Sequence, residues 1–293
     1  LLLTAYYEAH RPFRDLGISV PPQLEGVSAA LGWPSKAVQA RTRKHAFEGF
    51  SLGGAVDPFD VNETLTRNQF DLELLQGISA AYCQSFALLS AVKGDPAEGD
   101  PDVLVRAHDA EWSAGVWDQR RREVAAAVVI TGVDVAGQPE HATLFMRSGT
   151  FVLERVYGRW RAERTGGAQD RAMVELLPND PQVGRPFGRS MITREVRYLT
   201  DAAIRTLVRG EVSAEFFASP QRYVLGVDEG AFADKGRWSA ITGRVLALSN
   251  NEEGDTPTVG QFPQMTMSPH WEMYRQLAQN FCAATNLPQS AVG

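Results

Sequence analysis

The chain has 293 residues, 44% of them apolar, and a chain of this length buries roughly 75% of its unfolded surface without needing disulfide staples. Thirty-five acidic residues against 29 basic ones leave a net charge of -6, which argues against a protein that grips nucleic acid, because grip comes from Lys and Arg displacing counterions from phosphates, though not against one that lets DNA pass. The two cysteines, Cys83 and Cys282, lie far apart in apolar helical patterns, so both are expected to be reduced core residues of an intracellular protein.

In chain order, the opening "LLLTAYYEAH" has no initiator Met and no basic leader before a small-residue cleavage site. No secretory signal is expected, and the visible start need not be the biological one. Up to about Phe50, Pro12, Gly17, Pro21-Pro22 and Pro34 cut the chain into short helices and turns. Pro34 opens a helix with Ala37, Val38 and Ala40 on one side and Arg41, Arg43 and Lys44 toward water. "SLGGAVDPFD" reads as a loop, followed by a helix from about Asn68 to Ala81. The stretch Leu74 to Val92 carries no charge over 19 residues, about the length that crosses a bilayer. Its Gln76, Gln84, Ser79, Ser85 and Ser90 instead suit a core helix running into a strand.

From Gln84 to Leu177 the pattern changes to period two and short apolar runs: "SFALLSAV", "PDVLVRAHD", "EVAAAVVITGVD", "HATLFMRSG", "TFVLERVYG", "RWRAERTG" and "AMVELLP". Breaks at Gly-Asp, Ala-Gly and Ser-Gly describe an antiparallel sheet region. A different organisation begins at "NDPQVGRPFGRS". Ser190 is expected to cap a helix with Ile192, Val196, Leu199, Ala203, Leu207, Phe216 and Phe217 on one side and Arg194, Arg197, Asp201, Arg205, Arg209, Glu211 and Glu215 on the other. A helix of that length, roughly 42 Å, needs a neighbour along its whole side. A strand-rich excursion follows ("QRYVLGVDE", "RWSAITGRVLALSNN", "TVGQFP"), flanked by Pro220 and Pro269. The terminal helix "SPHWEMYRQLAQNFCAATNLP" then returns, with Ser268 as cap and Asn-Leu-Pro as stop.

No catalytic constellation assembles. "GRPFGRS", Gly184 to Ser190, has the setting of a phosphate loop but three residues between its glycines and Arg189 in place of the Lys. Asp134 closes an apolar strand, but it precedes that loop. His108, Asp109, Glu111 and Asp118 gather near one another in sequence; strand alternation puts His108 and Asp109 on opposite faces, so a solvated strand end is expected rather than a metal site. His270 is isolated, no G-x-S-x-G exists, and tryptophans 33, 112, 117, 160, 238 and 271 are scattered as packing anchors rather than a base-stacking platform.

The phrases "GVWDQRRREVAAAVVI", "GRSMITREVRYLTDAAIRTLVRGEVSAEFFASPQRYVLGVD" and "TVGQFPQMTMSPHWEMYRQLAQNFCAATNLPQSAVG" resemble, in order, portal proteins of tailed bacteriophages of the actinobacterial phage and prophage type. The resemblance runs from "AYYEAHRPFRDLGI" to the end. It implies an α+β, ring-forming subunit, generally in a dodecamer, at one capsid vertex, with double-stranded DNA passing through its axis. The implied domains are an N-terminal helical region of a wing (1–67), a strand-rich wing (68–187), a first stem helix (188–219), a small α/β clip (220–266), and a second stem helix that starts the return to the wing (267–293). It implies a further helix with a channel loop, and a crown, beyond Gly293.

On that expectation Ile192, Val196, Leu199, Ala203, Leu207, Phe216, Phe217, Trp271, Leu277 and Phe281 pack stems of neighbouring subunits. Arg194, Arg197, Asp201, Arg205, Arg209 and Glu215 form the polar face. Asp228, Glu229, Glu252 and Glu253 are candidate contacts for the terminase large subunit. Major capsid and head-completion proteins are further partners; no cofactor, metal, catalytic residue or membrane is expected, and the location is the virion, with host cytoplasm during assembly. An acidic conduit wall fits this role, since it repels phosphates and keeps a duplex from sticking. Two rivals remain at the sequence level: a nucleotide-dependent packaging ATPase using Gly184 to Ser190, which predicts ATP binding lost on Arg189→Ala, and a sequence-specific DNA-binding module, which would need a basic helix for a groove.

Overall fold

Pro34 lies in the first turn of an α-helix, where its missing N–H is not needed, and the computed structural model places it in α2 (Trp33–Thr42), with Trp33, Pro34, Ala37 and Val38 buried. The structure describes residues 1–10, 29–50, 57, 60–95, 97, 99–217, 222–225, 258–261 and 266–292. The chain divides into two compact units: Leu1–Pro12 with Ala30–Thr200 and Asn280–Gly293, and Phe13–Ala29 with Asp201–Gln279. Besides α2, the first unit holds α1 (Leu2–Tyr7), α3 (Val61–Arg67) and α4 (Phe70–Gln84). Helix α4 passes through Ser85 straight into a strand, as expected for the uncharged stretch, and no described helix is long and apolar enough to cross a membrane.

Eight strands follow: β1 (Phe86–Lys93), β2 (Val103–Asp109), β3 (Ser113–Asp118), β4 (Glu123–Val133), β5 (Pro139–Met146), β6 (Gly149–Val156), β7 (Arg159–Arg164) and β8 (Val174–Pro178). They form two antiparallel sheets, β2-β1-β8 and the meander β3-β4-β5-β6-β7. Seven of the eight lie in the apolar runs read from the sequence. Strand β3 does not: "SAGVWD" is short and carries Ala and Gly, which are poor strand formers. It forms because the apolar β4 offers a ladder beside it, with a bulge between Val116 and Trp117.

Period-two alternation decides the layers. On β1, Ala87 and Leu89 lie on the face toward α4, where Gly77 has Leu177, Ala107 and Leu89 as neighbours. Leu88 points the other way, into a core with Val124, Ala127, Val129 and Phe145 from the meander, Ala172 just ahead of β8, and Val174 on it. Fully burying a side chain such as Leu88 contributes about 1.5–3 kcal/mol. The free edge of β2 is capped by side chains of the helical segment: the N–H of Val105 donates to Asn68 Oδ1 (2.9 Å) and that of Ala107 to Glu73 Oε2 (2.8 Å). Asn68 itself donates to the Val103 carbonyl (2.7 Å), so this buried amide is used and the edge is closed to a foreign strand.

The long helix α5 (Arg194–Phe217) has 24 residues, about 36 Å. It starts four residues after the expected cap. The Thr193 hydroxyl accepts the Val196 N–H (3.3 Å) and caps the helix. Ser190 is used differently: its hydroxyl donates to the Cys83 carbonyl at the end of α4 and accepts the Ile192 N–H (2.9 Å). In the second unit β9 (Arg222–Leu225) and β10 (Thr258–Gln261) pair antiparallel. Helix α6 (Ser268–Thr285) ends where Asn286 turns left-handed (φ 54°) and the Leu287 N–H reaches back to the Cys282 carbonyl (3.0 Å), the physical content of the Asn-Leu-Pro stop.

Candidate functional site

The surfaces of α5 and α6 are where the sequence places contacts to further copies. On α5 the chain itself buries most of the apolar side: Ile192, just before the helix, is 2% exposed, and Val196, Leu199 and Ala203 are also buried. Thr200, Ala202, Thr206 and Val208 join them, the two hydroxyls donating to the Val196 (2.8 Å) and Ala202 (2.9 Å) carbonyls four residues back. Ile192, Val196, Leu199 and Ala203, expected to pack stems of neighbouring subunits, are thus already excluded from water within this chain. Phe281 on α6, expected at the same packing surface, is buried against Trp33 with ring centroids 5.1 Å apart.

Leu207 and Leu277 are half-buried. Phe216 and Phe217 close α5, but their side chains, with that of Glu215, lie outside the described residues, as do Asp228, Glu229, Glu252 and Glu253 entirely. On the polar face Arg194 and Arg209 are exposed; Arg197, Asp201 and Arg205 are half-buried. The large apolar side chains left outward are Tyr198 (62% exposed) on α5, and Trp271 (52%) and Met273 (47%) on α6, of which the sequence reading named Trp271 alone. Tyr198 and Met273 each stand alone as a large apolar residue on a polar side, so no helical period marks them. Within the second unit, Gly210 of α5 leaves room for Met267 and His270 at the start of α6, and Ser213 and His270 share a hydrogen bond of 3.5 Å.

The Gly184–Ser190 loop is a structural clasp. Arg189 Nε pairs with Asp180 Oδ2 (3.1 Å), and the Asn179 and Arg189 backbones and amide side chain bond reciprocally (2.8 and 2.7 Å). Gly188 has φ 67°, and a Cβ there would lie 2.0 Å from the Asn179 carbonyl oxygen, so only glycine fits. Phe187 fills the space beside Gly115 and packs edge-on against Phe86 (5.0 Å). The cation and hydroxyl that a phosphate would need are therefore engaged by protein groups, and the loop does not open directly into α5.

A cavity of about 930 Å³ lies in the first unit, lined among others by Ser90, Arg106, His108, Thr143 and Phe145. Ser90 and His108 Nε2 are 2.7 Å apart across β1 and β2. Burial lowers the His108 pKa, against the opposing fields of Glu73 and Asp109, so the imidazole is kept neutral. A hydroxyl on an imidazole is the start of a nucleophile–base pair. Here the neighbouring carboxylate does not orient the ring, because Asp109 Oδ1 accepts the backbone N–H groups of Glu111 (3.0 Å) and Trp112 (2.9 Å). Glu111 binds Thr4 Oγ1 (2.6 Å), and the described residues contain no group of three or more potential metal ligands. Cys83 and Cys282 are buried free thiols, both raised in pKa by burial, Cys83 to about 12.

The molecule is thus an α+β chain whose described polar clusters hold the fold together, and whose two amphipathic helices leave aromatic surface outward. Comparison with known proteins shows the chain to be similar to the portal proteins of Mycobacterium phage D29, 29% identical over 300 residues, and Mycobacterium phage L5, 28% identical over 300 residues. Both matches cover 97% of this chain, which spans 60% of the length of these curated relatives. The resemblance to portal proteins of actinobacterial phages is borne out. No family model matches. Among solved structures, the chain is similar to one from the virion of a native gene transfer agent particle (TM-score 0.47, 18% identity, 99% of this chain and 75% of the other). It is also similar to one from the neck of a native gene transfer agent particle computed with C12 symmetry (TM-score 0.48, 18% identity, 100% and 74%).

Proposed function

We propose that this chain is a structural portal subunit that closes into a ring with copies of itself at a capsid vertex, and that double-stranded DNA passes through that ring during packaging and ejection. The observation that carries the proposal is the similarity to two phage portal proteins across 97% of the chain. The exposure of Tyr198 on α5 and, separately, of Trp271 and Met273 on α6 supports it, because neighbouring large apolar side chains left in water on a helix favour a partner. The net charge of -6 suits a wall that lets a polyanion slide.

On this reading the protein is not an enzyme, needs no cofactor, and resides in the virion after assembly in the host cytoplasm. The ring is a dodecamer. The ATPase is a separate terminase large subunit that docks on the acidic segments around Asp228-Glu229 and Glu252-Glu253, and the capsid and head-completion proteins bind elsewhere on the ring. The packaging-ATPase rival loses its footing, since Arg189 and Ser190 are bound to Asp180 and Cys83. Electron microscopy of the full-length protein tests the proposal: particles with a central hole are expected, and a chain that stays monomeric at every concentration overturns it.

A further inference from the structure

Resting on the reading of the chain as a subunit of a DNA conduit, we propose that the turn between β3 and β4, Arg120 to Arg122, is a sequence-independent contact to the phosphates of duplex DNA. Three consecutive arginines stand exposed on this turn. Their backbone is fixed: Asp118 Oδ1 accepts the N–H of Arg120 (2.8 Å) and of Arg121 (3.0 Å), while the Arg122 N–H reaches the Asp118 carbonyl (2.8 Å) with Arg122 at φ 56°. Asp118 is thereby engaged by backbone donors, and these bonds, led by that of Arg121, together with the nearby charges of Arg121 and Arg120, hold its pKa low; Glu123, next in the chain, pairs with Arg147.

Elsewhere Arg106, Arg147, Arg171 and Arg189 each have a carboxylate partner, namely Glu73, Glu123, Glu175 and Asp180. Among the described residues no carboxylate lies within ion-pairing distance of the guanidinium groups of Arg120, Arg121 or Arg122. The surrounding meander is basic on an acidic chain, with eight arginines against six carboxylates between Ser113 and Thr165. By the topology of the meander, Arg147 and the end of β7 at Arg164 lie at the same end of the sheet as this turn.

Charge density selects the partner. Three adjacent guanidinium groups with no carboxylate partner among the described residues suit the dense, regular phosphates of a duplex better than the scattered carboxylates of a protein surface. The turn is too short to enter a groove and read bases, so the contact positions and does not specify.

The test measures binding of the full-length protein to a long random-sequence duplex across a salt series. For R120A/R121A/R122A the log affinity against log salt line becomes shallower by about 2.7, since each phosphate contact contributes about 0.9. The triple lysine variant, which keeps the charges, retains the wild-type slope. An equal slope in wild type and the alanine variant overturns the proposal, as does absence of duplex binding by wild type at low salt. Loss of self-association with DNA binding unchanged also overturns it, reassigning the turn to a second copy of the chain. Electron microscopy of the same preparations separates the two ideas: rings with an unaltered slope sink only the arginine contact, whereas a changed slope without rings sinks only the portal reading.

Discussion

Along α5 the apolar residues Val196, Leu199, Ala203 and Val208 are buried within the chain, whereas the first half of α6 leaves Trp271 and Met273 on the surface and is buried only from Phe281 onward. Both helices are amphipathic in sequence, yet the apolar side of α5 is consumed internally, with Tyr198 exposed on its polar side, while part of α6 keeps large apolar side chains in water. Amphipathicity states that a face is covered; it does not state by what. Mutations on the two helices should therefore fail in different ways.

The largest effect is expected at Phe281→Ala, which removes a fully buried ring from its contact with Trp33. A loss of about 3–5 kcal/mol in denaturant unfolding is expected, independent of protein concentration. Ile192→Ala should cost about 2–5 kcal/mol in the same measurement and also without concentration dependence. If its penalty instead disappeared in dilute monomer, Ile192 would face a neighbouring copy after all, and the contrast between the helices would be lost.

Cys83 offers a subtler probe of the same interior. Burial, followed by the fields of Glu111 and Asp109, raises its thiol from 9.0 to about 12. The folded state thus disfavours the thiolate: the contribution is full below pH 9.0, where the unfolded thiol also keeps its proton, and is lost as pH rises toward 12. Stability measured over that window should fall for the wild type more steeply than for Cys83→Ala. The smallest effect on folding belongs to Trp271→Ala, within about 0.5 kcal/mol. Its effect should appear in sedimentation, as a higher concentration needed for self-association; unchanged assembly would remove Trp271 from the interface.

Much of the sheet unit was legible because its strands alternate and its turns carry Gly and Asp, so local pattern and final pairing agree. The helix boundary at α5 was misplaced because Ser190 and Thr193 are both acceptable caps. Which one is used depends on the Cys83 carbonyl, a partner more than a hundred residues away. Strand β3 was hidden for a related reason: its identity comes from the ladder with β4, not from its own residues. At the candidate interface the polar residues of α5 were found, but Tyr198 and Met273 were passed over, because a lone apolar residue on a charged side carries no period. The arginine turn was quoted for its resemblance and not weighed as chemistry.

Strand β8 pairs with β1 from Phe86–Pro178 to Ser90–Val174, closing a segment of more than eighty residues that contains the whole meander. During synthesis the apolar β1, once paired with β2, still shows one unsatisfied edge until residue 178 has left the ribosome. At about 5–20 residues per second that interval is several seconds, during which the β8 of another copy could fill the same place. On the proposed reading, in which the chain assembles with copies of itself, this late closure is its main opportunity for exchanging strands with them too early.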